Sequence, residues 1–373
     1  MMKKLFWAAS VAFVLTSCSN DQEVSVNNGR AIDFRSAMNV RGSETTTANL
    51  SEIYVTALHN DANFFENVKF SKAEGGTTFE SEIKYYWPAN NEKLNFFAYS
   101  PSLTELGGTM TINKDGQALA DFSPKAEIKD QLDFVTAVAE GDKSNEASGV
   151  ALAFSHRLSQ IEIKAKMTND SYVLKIYGVR MANPVSKATF GMDDSKSVTL
   201  GDTKAVYTVK YTTPVTFSES TPMSSIMGDA GCGMLIPQTL TAWNTESDKE
   251  NAQKGAYLAV LVNVTTKAGA PVYPVKASTK EGHNESDPSY AWVAIPVSTD
   301  WVAGNKYVYT LDFTNGFGFV APSEDGDEDD PNIPEVDPSD PDTPKPGETT
   351  TGEPIKFTVT VSPWVESPEN ISM

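Results

Sequence analysis

Residues 160–166 read QIEIKAK, and this strict alternation of polar and apolar side chains decides the fold class. Successive side chains of a β-strand point to opposite faces of its sheet, so the alternation predicts a strand with one face on a core. Residues 307–313 (YVYTLDF) show the same period of two. The two segments together indicate a β-protein.

The same pattern extends through most of the chain. Short apolar or alternating runs predict strands at residues 53–58, 94–99, 134–138, 150–154, 174–179, 205–211, 257–264 and 292–297. Turn-forming residues such as Gly75-Gly76, Gly107-Gly108 and Asn183-Pro184 separate them. Outside the first 17 residues, no stretch of ten or more has helical periodicity. We therefore expect an all-β fold, and about 290 residues of such sequence exceed one ordinary sandwich.

Charge is distributed unevenly along the 373 residues. The chain has 30 Lys and Arg against 49 Asp and Glu, a net charge of −19. Residues 321–354 hold twelve acids against Lys345 alone, so this segment carries −11 and the remainder −8. An acidic surface without a basic cluster repels phosphate, which disfavours nucleic acid as a partner.

Few residues are suited to cofactor or metal chemistry. With three His and two Cys, the chain offers little for a His-based metal site or a disulfide scaffold. Asp325, Asp327 and Asp329 have EF-hand spacing, but Asp330 stands where Gly is needed and Val336 where the bidentate Glu belongs. We expect no metal and no cofactor.

The acidic segment is also rich in proline. Residues 322–354 contain eight prolines and almost nothing apolar, which predicts an extended linker. After it, Ile355, Phe357, Val359 and Val361 alternate with polar residues and predict a C-terminal strand. Such a strand either returns to its own domain as an edge strand or completes the sheet of a neighbour.

The N-terminus has the pattern of an export signal. Lys3-Lys4 precedes an apolar run of eleven residues, too short for a membrane-spanning helix and typical of a signal peptide. Residues 15–18 (LTSC) resemble a bacterial lipobox, so Cys18 is the predicted lipidation site. Acyl chains on Cys18 would anchor the protein to the outer membrane.

Candidate catalytic residues are few. His156 adjoins Ser155, but neighbouring residues in a strand point to opposite faces and cannot form a nucleophile–base pair. The sequence around Cys232 (GCG) lacks the spacing of a nucleophile elbow. We therefore expect a protein that is not an enzyme.

Several segments in order along the chain resemble the fimbrillin family of Bacteroidetes, the Mfa-like and FimA-like subunits of type V pili. They are residues 31–36 (AIDFRS), 85–88 (YYWP), 94–101 (LNFFAYSP), 133–137 (DFVTA) and 150–161 (VALAFSHRLSQI). The resemblance covers the leader and the first half strongly and the second half loosely. It implies two tandem transthyretin-like β-sandwich domains and export as a surface-exposed outer-membrane lipoprotein.

The resemblance also implies assembly into a fimbrium with other pilus subunits by strand exchange. A trypsin-like or arginine-specific protease would remove an N-terminal strand, here carrying Ile32 and Phe34. The best processing site is Arg41, with Arg35 and Arg30 behind it. A terminal strand of another subunit would then fill the groove, and residues 355–361 are the candidate donor. A stalk subunit would be expected to carry its donor strand close to its body. Because a long linker precedes residues 355–361 here, the stalk, tip and accessory roles all stay open.

These expectations divide the chain into six parts. They are a signal peptide (1–17), a leader with the removable strand (18–41), two sandwiches (42–148 and 149–321), the linker (322–354) and the C-terminal strand (355–373). The competing interpretation is a surface glycan-binding lipoprotein of a polysaccharide-uptake system, in which Trp87, Trp243, Trp292 and Trp301 stack on sugars. A glycoside hydrolase is a third and weaker alternative. In the pilus interpretation, a host or bacterial surface ligand is a further partner.

Overall fold

The computed structural model describes residues 26–38, 49–192, 197–218, 223–246, 255–275, 290–322 and 345–363. Cys18, Arg41 and most of the acidic linker lie outside these ranges. The strands in chain order are β1 (Val26–Ala31), β2 (Phe34–Met38), β3 (Glu52–His59), β4 (Ala62–Lys72), β5 (Thr78–Ser81), β6 (Tyr86–Pro88), β7 (Leu94–Ser100), β8 (Thr109–Asn113), β9 (Gly116–Phe122), β10 (Val135–Gly141), β11 (Val150–His156) and β12 (Ser159–Lys166). They continue with β13 (Tyr172–Val185), β14 (Ala188–Gly191), β15 (Val198–Leu200), β16 (Lys204–Phe217), β17 (Met223–Ser225), β18 (Gly233–Leu235), β19 (Tyr257–Thr266), β20 (Pro271–Tyr273), β21 (Ala291–Pro296), β22 (Asn305–Asp312), β23 (Phe319–Val320) and β24 (Lys356–Pro363).

Helices are short in the described ranges. The α-helix α1 (Leu103–Leu106) has Ser102 as its N-cap, and the side chains of Ser102 and Glu105 form a capping box. Three 3₁₀ turns accompany it. No helix in this part of the chain is long and apolar enough to cross a membrane. The fold is all-β, as the sequence predicts.

The N-terminal half closes into a seven-stranded barrel. Its strand order is β10-β11-β2-β5-β4-β3-β7, and β7 pairs with β10 to close the ring. Every pairing is antiparallel except that of β2 with β11, which is parallel. A single apolar core fills the interior, with Phe34, Phe70 and Phe96 among its fully buried side chains.

The C-terminal half is a two-sheet sandwich. One sheet has the order β17-β12-β22-β24, with β18 also on β12, and the other has the order β16-β13-β19-β21-β23, with β20 on β19. Ile161, Ile163 and Tyr309 of the first sheet share one core with Val260 and Val262 of the second. The second sheet is covered on its other face too, by a cluster that includes Trp243 and Trp292. Burial on both faces explains the unbroken apolar run in β19.

A small sheet joins the two halves. Its order is β15-β14-β9-β8, with strands from both sides of the predicted domain boundary. Phe122 and Phe134 from the first half pack there against Phe190 from the second. The prediction of two tandem transthyretin-like sandwiches therefore does not anticipate this shared layer, and in its domain details it stays a prediction.

The predicted division at Ser148 falls inside the barrel's share of the chain. Strand β11 follows Ser148 and pairs with β10 and β2, so the chain leaves the barrel between His156 and Ser159. A strand with alternating apolar residues fits either of two neighbouring cores, so its sequence does not say which one it joins. The ten strands predicted for the body and the predicted C-terminal strand are all present as strands.

Candidate functional site

The N-terminal strand β2 is a central member of the barrel. It lies between β11, which it meets from Phe34↔Val150 onward, and β5, which it meets at Phe34↔Phe79. Ile32, just before it, is 2% exposed and its amide donates to the Tyr85 carbonyl at 2.8 Å. The two residues predicted to face a groove are therefore both buried.

Phe34 is the main apolar contact of this strand. Its ring is fully buried and meets the rings of Phe70 and Phe96 edge-on, with centroids 4.8 and 5.1 Å away. Burying Ile32 and Phe34 is worth about 1.5–3 kcal/mol each. Without β2, the barrel would open between β11 and β5 and expose an apolar groove.

Polar contacts hold the chain just before β2. The Arg30 guanidinium lies 2.9 Å from Asp33 Oδ2 and donates to the Ala147 carbonyl at 3.3 Å. The Arg30 backbone amide donates to a Glu146 carboxylate oxygen. The Asp33 carbonyl accepts from the Val150 amide at 3.0 Å, one residue before the β2–β11 ladder begins.

The C-terminal strand β24 returns to its own chain. It pairs antiparallel with β22 from Asn305↔Pro363 to Asp312↔Lys356 and forms one edge of its sheet. Phe357 and Val359 are half-buried against the sandwich core, whereas Val361 is 51% exposed. The four predicted donor residues thus include only one that is fully buried, Ile355 at 6% exposure.

The end of the predicted linker is docked on the sandwich. The Val320 amide donates to the Glu348 carbonyl at 2.8 Å, and the Thr350 amide donates to the Gly318 carbonyl at 3.0 Å. Gly352 pairs with Gly316 in an isolated bridge. The linker prediction is therefore wrong for residues 345–354, because backbone hydrogen bonds and Gly–Gly contact tie down a segment that has almost no apolar side chains. Residues 323–344 lie outside the described ranges.

The five arginines of the chain differ in accessibility. Arg35 is exposed, but its backbone sits within β2, opposite Thr78 on one side and Ala151 on the other. Arg157 and Arg180 are 1% and 6% exposed. The Arg157 guanidinium donates to the Gly191 carbonyl at 2.6 Å, and that of Arg180 lies 4.0 Å from the Trp292 ring centroid.

The tryptophans proposed for sugar stacking are all in cores. Trp87, Trp243, Trp292 and Trp301 are between 1% and 3% exposed. A ring that has no accessible face cannot stack on a glycan. The glycan-binding interpretation therefore loses the residues on which it rested.

His156 has a structural partner. Its Nδ1 lies 2.7 Å from Asp133 Oδ2, and both side chains are buried. Ser155, next to it in β11, pairs with Thr136. In the described parts of the chain, no group of three or more His, Cys, Asp or Glu side chains is placed to hold a metal ion.

A charge cluster that the sequence pattern does not predict lies on the outer face of β12 and β22. Lys306 Nζ lies 2.8 Å from Glu162 Oε2, and Lys164 Nζ lies 3.3 Å from Glu162 Oε1. Burial raises the pKa of the Glu162 carboxyl, but the hydrogen bond and charge of Lys306 outweigh it and lower that pKa. Burial lowers the pKa of Lys306, but its hydrogen bond to Glu162 and the nearby Cys232 raise it overall. The parallel pairing of β12 with β22 places Lys306 opposite Gln160, two residues from Glu162, and so brings together charges that are far apart in the sequence.

The sequence profile described as fimbrillin-like matches residues 37–334, which is most of the chain. The chain belongs to the fimbrillin-like family. None of the curated proteins matches it significantly.

Solved structures similar to this fimbrillin-like chain include proteins of Bacteroides and Porphyromonas species. A fimbrial protein from Bacteroides vulgatus superposes with a TM-score of 0.50 at 18% identity, covering 77% of this chain and 95% of that one. A Bacteroides uniformis protein, provisionally assigned to cell adhesion, gives 0.46 at 16% identity and covers 90% and 98% of the two chains. The fimbrial anchor protein Mfa2 from Porphyromonas gingivalis gives 0.30 at 11% identity, covering 76% and 90%. At 18% identity, the similarity to the Bacteroides vulgatus protein supports the fold alone. The assignment to the family rests on the match to the fimbrillin-like sequence profile.

Proposed function

We propose that this fimbrillin-like chain is a structural subunit of a cell-surface type V pilus, as stalk, tip or accessory component. It is exported as a lipoprotein anchored in the outer membrane through Cys18, processed at Arg41 and assembled with other pilus subunits by strand exchange. Family membership supports a structural and non-enzymatic role at the cell surface. Adhesion to a host or bacterial surface is the role that such a fibre serves.

The observation that carries this proposal is the position of β2. A strand near the N-terminus completes a closed barrel, and its removal would leave one long apolar groove between β11 and β5. An open groove with unpaired backbone groups on both sides binds an added strand through main-chain hydrogen bonds, and pockets for alternate side chains give its register. Phe34, which is fully buried, occupies one of these pockets.

The arginine environments support Arg41 as the processing site. A protease binds its substrate in an extended form, which a strand paired on both sides, such as that of Arg35, does not offer. Arg157 and Arg180 are buried. Arg30 has a side chain that is 56% exposed, but it lies in β1 and its guanidinium is bound to Asp33 and Ala147. These environments favour Arg41, with Arg35 and Arg30 behind it, as the proposed processing site.

We infer that β24 is held on β22 before assembly and is then donated to a neighbour. An edge strand has a single partner, and the apolar face of β24 is only partly covered, so its release costs less than that of a central strand. Residues 323–344, rich in proline and acids, supply the length that such a transfer needs.

The test uses an arginine-specific endoprotease on the full chain, followed by electrophoresis in SDS without boiling. A cut after Arg41 and a ladder of SDS-resistant multimers are the expected result. Phe357→Asp with Val359→Asp should abolish the ladder, because both apolar side chains would have to seat in the groove of the neighbouring subunit. Thr358→Asp with Thr360→Asp, on the opposite and exposed face of the same strand, is the matched control and should keep it.

Two results would count against the proposal. One is a protein that is cut but stays monomeric both alone and when mixed with subunits from the same fimbriae. The other is a ladder that persists in the Phe357→Asp, Val359→Asp variant, which would remove β24 from the mechanism. Separately, Cys18→Ala should eliminate labelling by a radioactive fatty acid in the producing bacterium, and continued labelling would refute the anchor.

A further inference from the structure

The segment before β2 is fixed to the body by contacts that do not depend on its apolar side chains. Arg30 and Asp33 belong to the removable segment, whereas Glu146, Ala147 and Gly149 belong to the body. The Arg30 amide and guanidinium donate to Glu146 and to the Ala147 carbonyl, and the guanidinium also pairs with Asp33. Arg30 therefore binds Asp33 within its own segment and Glu146 and Ala147 of the body.

Asp33 is seated in a slot that only glycine leaves open. Asp33 is only 6% exposed. A Cβ atom added to Gly149 would lie 2.5 Å from Asp33 Oδ1, which is too close for a side chain at that position. Gly149 also has a φ of +71°, which L side chains rarely adopt. Any shift of β2 by one residue would put Phe34 or Ile32 against Gly149, so the slot fixes the register.

The body side of the contact is rigid. Asp142 caps the 3₁₀ turn Lys143–Glu146 by accepting from the Ser144 amide at 2.8 Å. The Asp142 amide donates to Asn145 Oδ1 at 3.0 Å, and the Gly149 amide donates to the Asn145 carbonyl at 2.8 Å. Glu146 is thus presented to Arg30 from a fixed position.

We propose that Arg30, Asp33, Glu146 and Gly149 form a latch that sets the register of the N-terminal segment and retains it after the chain is cut beyond Met38. This inference rests on the proposed function, because it concerns the step between cleavage and assembly. Cleavage by itself does not open the groove, and a competing strand has to displace the latched segment. The Arg30 side chain is 56% exposed, but its backbone lies in β1 and its amide is bound to Glu146, so the latch also keeps the peptide bond after Arg30 out of the extended, unpaired form that a protease binds.

Two variants and a matched control test the latch in the full chain. Glu146→Ala removes the acceptor of the Arg30 amide, and Asp33→Asn removes the charge that Arg30 pairs with. Glu140→Ala removes an exposed carboxylate 2.5 Å from Lys93, away from the segment, and serves as the control. If Asp33→Asn fails to fold, Glu146→Ala still tests the latch, because Glu146 lies on a half-buried turn outside the core.

The first measurement is hydrogen exchange of the β2 amides in uncut protein. Loss of a charge-assisted hydrogen bond should raise the exchange rate about tenfold or more in Glu146→Ala and leave Glu140→Ala unchanged. The second is cleavage by an arginine-specific endoprotease followed by gel filtration and mass spectrometry. The wild-type segment should co-elute with the body with Arg30 intact, whereas Glu146→Ala should lose the segment and be cut at Arg30.

Equal exchange of β2 in Glu146→Ala and Glu140→Ala overturns the latch, and so does immediate loss of the wild-type segment. Neither result bears on assembly, which is scored by the SDS-resistant ladder. A segment that is retained in wild type and lost in Glu146→Ala, without any ladder, would support the latch and refute the proposed function.

Discussion

Individual side chains show how differently the two terminal strands are held. Phe34 is fully buried against Phe70 and Phe96, whereas Phe357 is half-buried, with its ring centroid 6.2 Å from that of Tyr309. Both phenylalanines occupy the same place in an alternating pattern, so the sequence does not distinguish them. The difference comes from position: one strand is central in a closed barrel and the other lies at an edge.

Truncating the two phenylalanines should therefore have unequal effects. We expect Phe34→Ala to lower the free energy of unfolding by about 3–5 kcal/mol, as for a fully buried aromatic, and Phe357→Ala by about 1–2 kcal/mol. Urea denaturation followed by tryptophan fluorescence measures both. Equal losses would contradict the difference in burial.

Three glycine substitutions separate backbone strain from close contact. Gly149→Ala combines a positive φ with contact to Asp33, Gly75→Ala has a φ of +72° with open space, and Gly116→Ala has neither problem. We expect a loss of about 1–2 kcal/mol in unfolding free energy for Gly75→Ala, a larger loss for Gly149→Ala and almost none for Gly116→Ala. The denaturant midpoints of unfolding rank the three variants. If Gly149→Ala loses no more stability than Gly75→Ala, the close contact between Gly149 and Asp33 does not matter.

The Glu162–Lys306 pair predicts a pH dependence of stability. The pKa of Glu162 is lowered in the folded state, so its contribution is present above the ordinary carboxyl pKa of 4.5 and is lost as pH falls through the lowered value. Glu162→Gln should cost about 0.5–1 kcal/mol near pH 7, and the difference from wild type should vanish in acid. Chemical denaturation at several pH values measures it. A difference that persists at low pH would assign the loss to packing instead.

At the scale of elements, strand partners rather than strand sequences decide what each terminal segment does. β2 inserts parallel to β11 and antiparallel to β5, and both ladders would be broken by its departure. β24 has one antiparallel ladder to β22, and no strand of the described residues pairs with its other side. The first arrangement suits a plug that is removed once, and the second suits a strand that changes partner.

Deleting each terminal strand should test that contrast. Ending the chain after Pro354 removes β24, and we expect the sandwich to stay folded with a lower unfolding midpoint, because β22 keeps its pairing with β12. Starting the chain at Asn49 removes β2, and we expect the barrel to bind a hydrophobic dye and to aggregate. Circular dichroism and dye fluorescence measure both outcomes. A truncation at Asn49 that stays monomeric and dye-free would contradict the groove.

In the whole molecule, the small sheet β15-β14-β9-β8 ties barrel and sandwich together through Phe122, Phe134 and Phe190. The two buried arginines also lie in the second half, with Arg157 against Phe190 at this junction. A body built this way presents no accessible arginine in its described core. It is suited to withstand the protease that we propose removes its N-terminal segment.

Limited proteolysis should reveal that resistance. An arginine-specific endoprotease should leave one body fragment beginning after Arg41, stable for hours in native buffer and cut at Arg157 and Arg180 only after denaturation. Gel electrophoresis with mass spectrometry follows the fragments. Early cleavage at Arg157 in native buffer would contradict the burial on which the choice of Arg41 depends.

The amino-acid sequence by itself determined the strands and the fold class, because side-chain alternation is local and a period of two has one structural meaning. It also determined where the charge lies, since most of the −19 belongs to residues 321–354. The resemblance to fimbrillins pointed to Ile32, Phe34 and the arginines near them.

Only the tertiary structure decided which strands pair. β11 joins the barrel, β2 lies between β11 and β5, β24 returns to β22, and residues 347–353 dock along the chain after β22. These partners are far apart in the sequence, and one apolar strand face resembles another, so no local pattern selects among them. The latch of Arg30 and Asp33 on Glu146 and Gly149 is of the same kind. It exists because folding brings together polar residues that no motif connects.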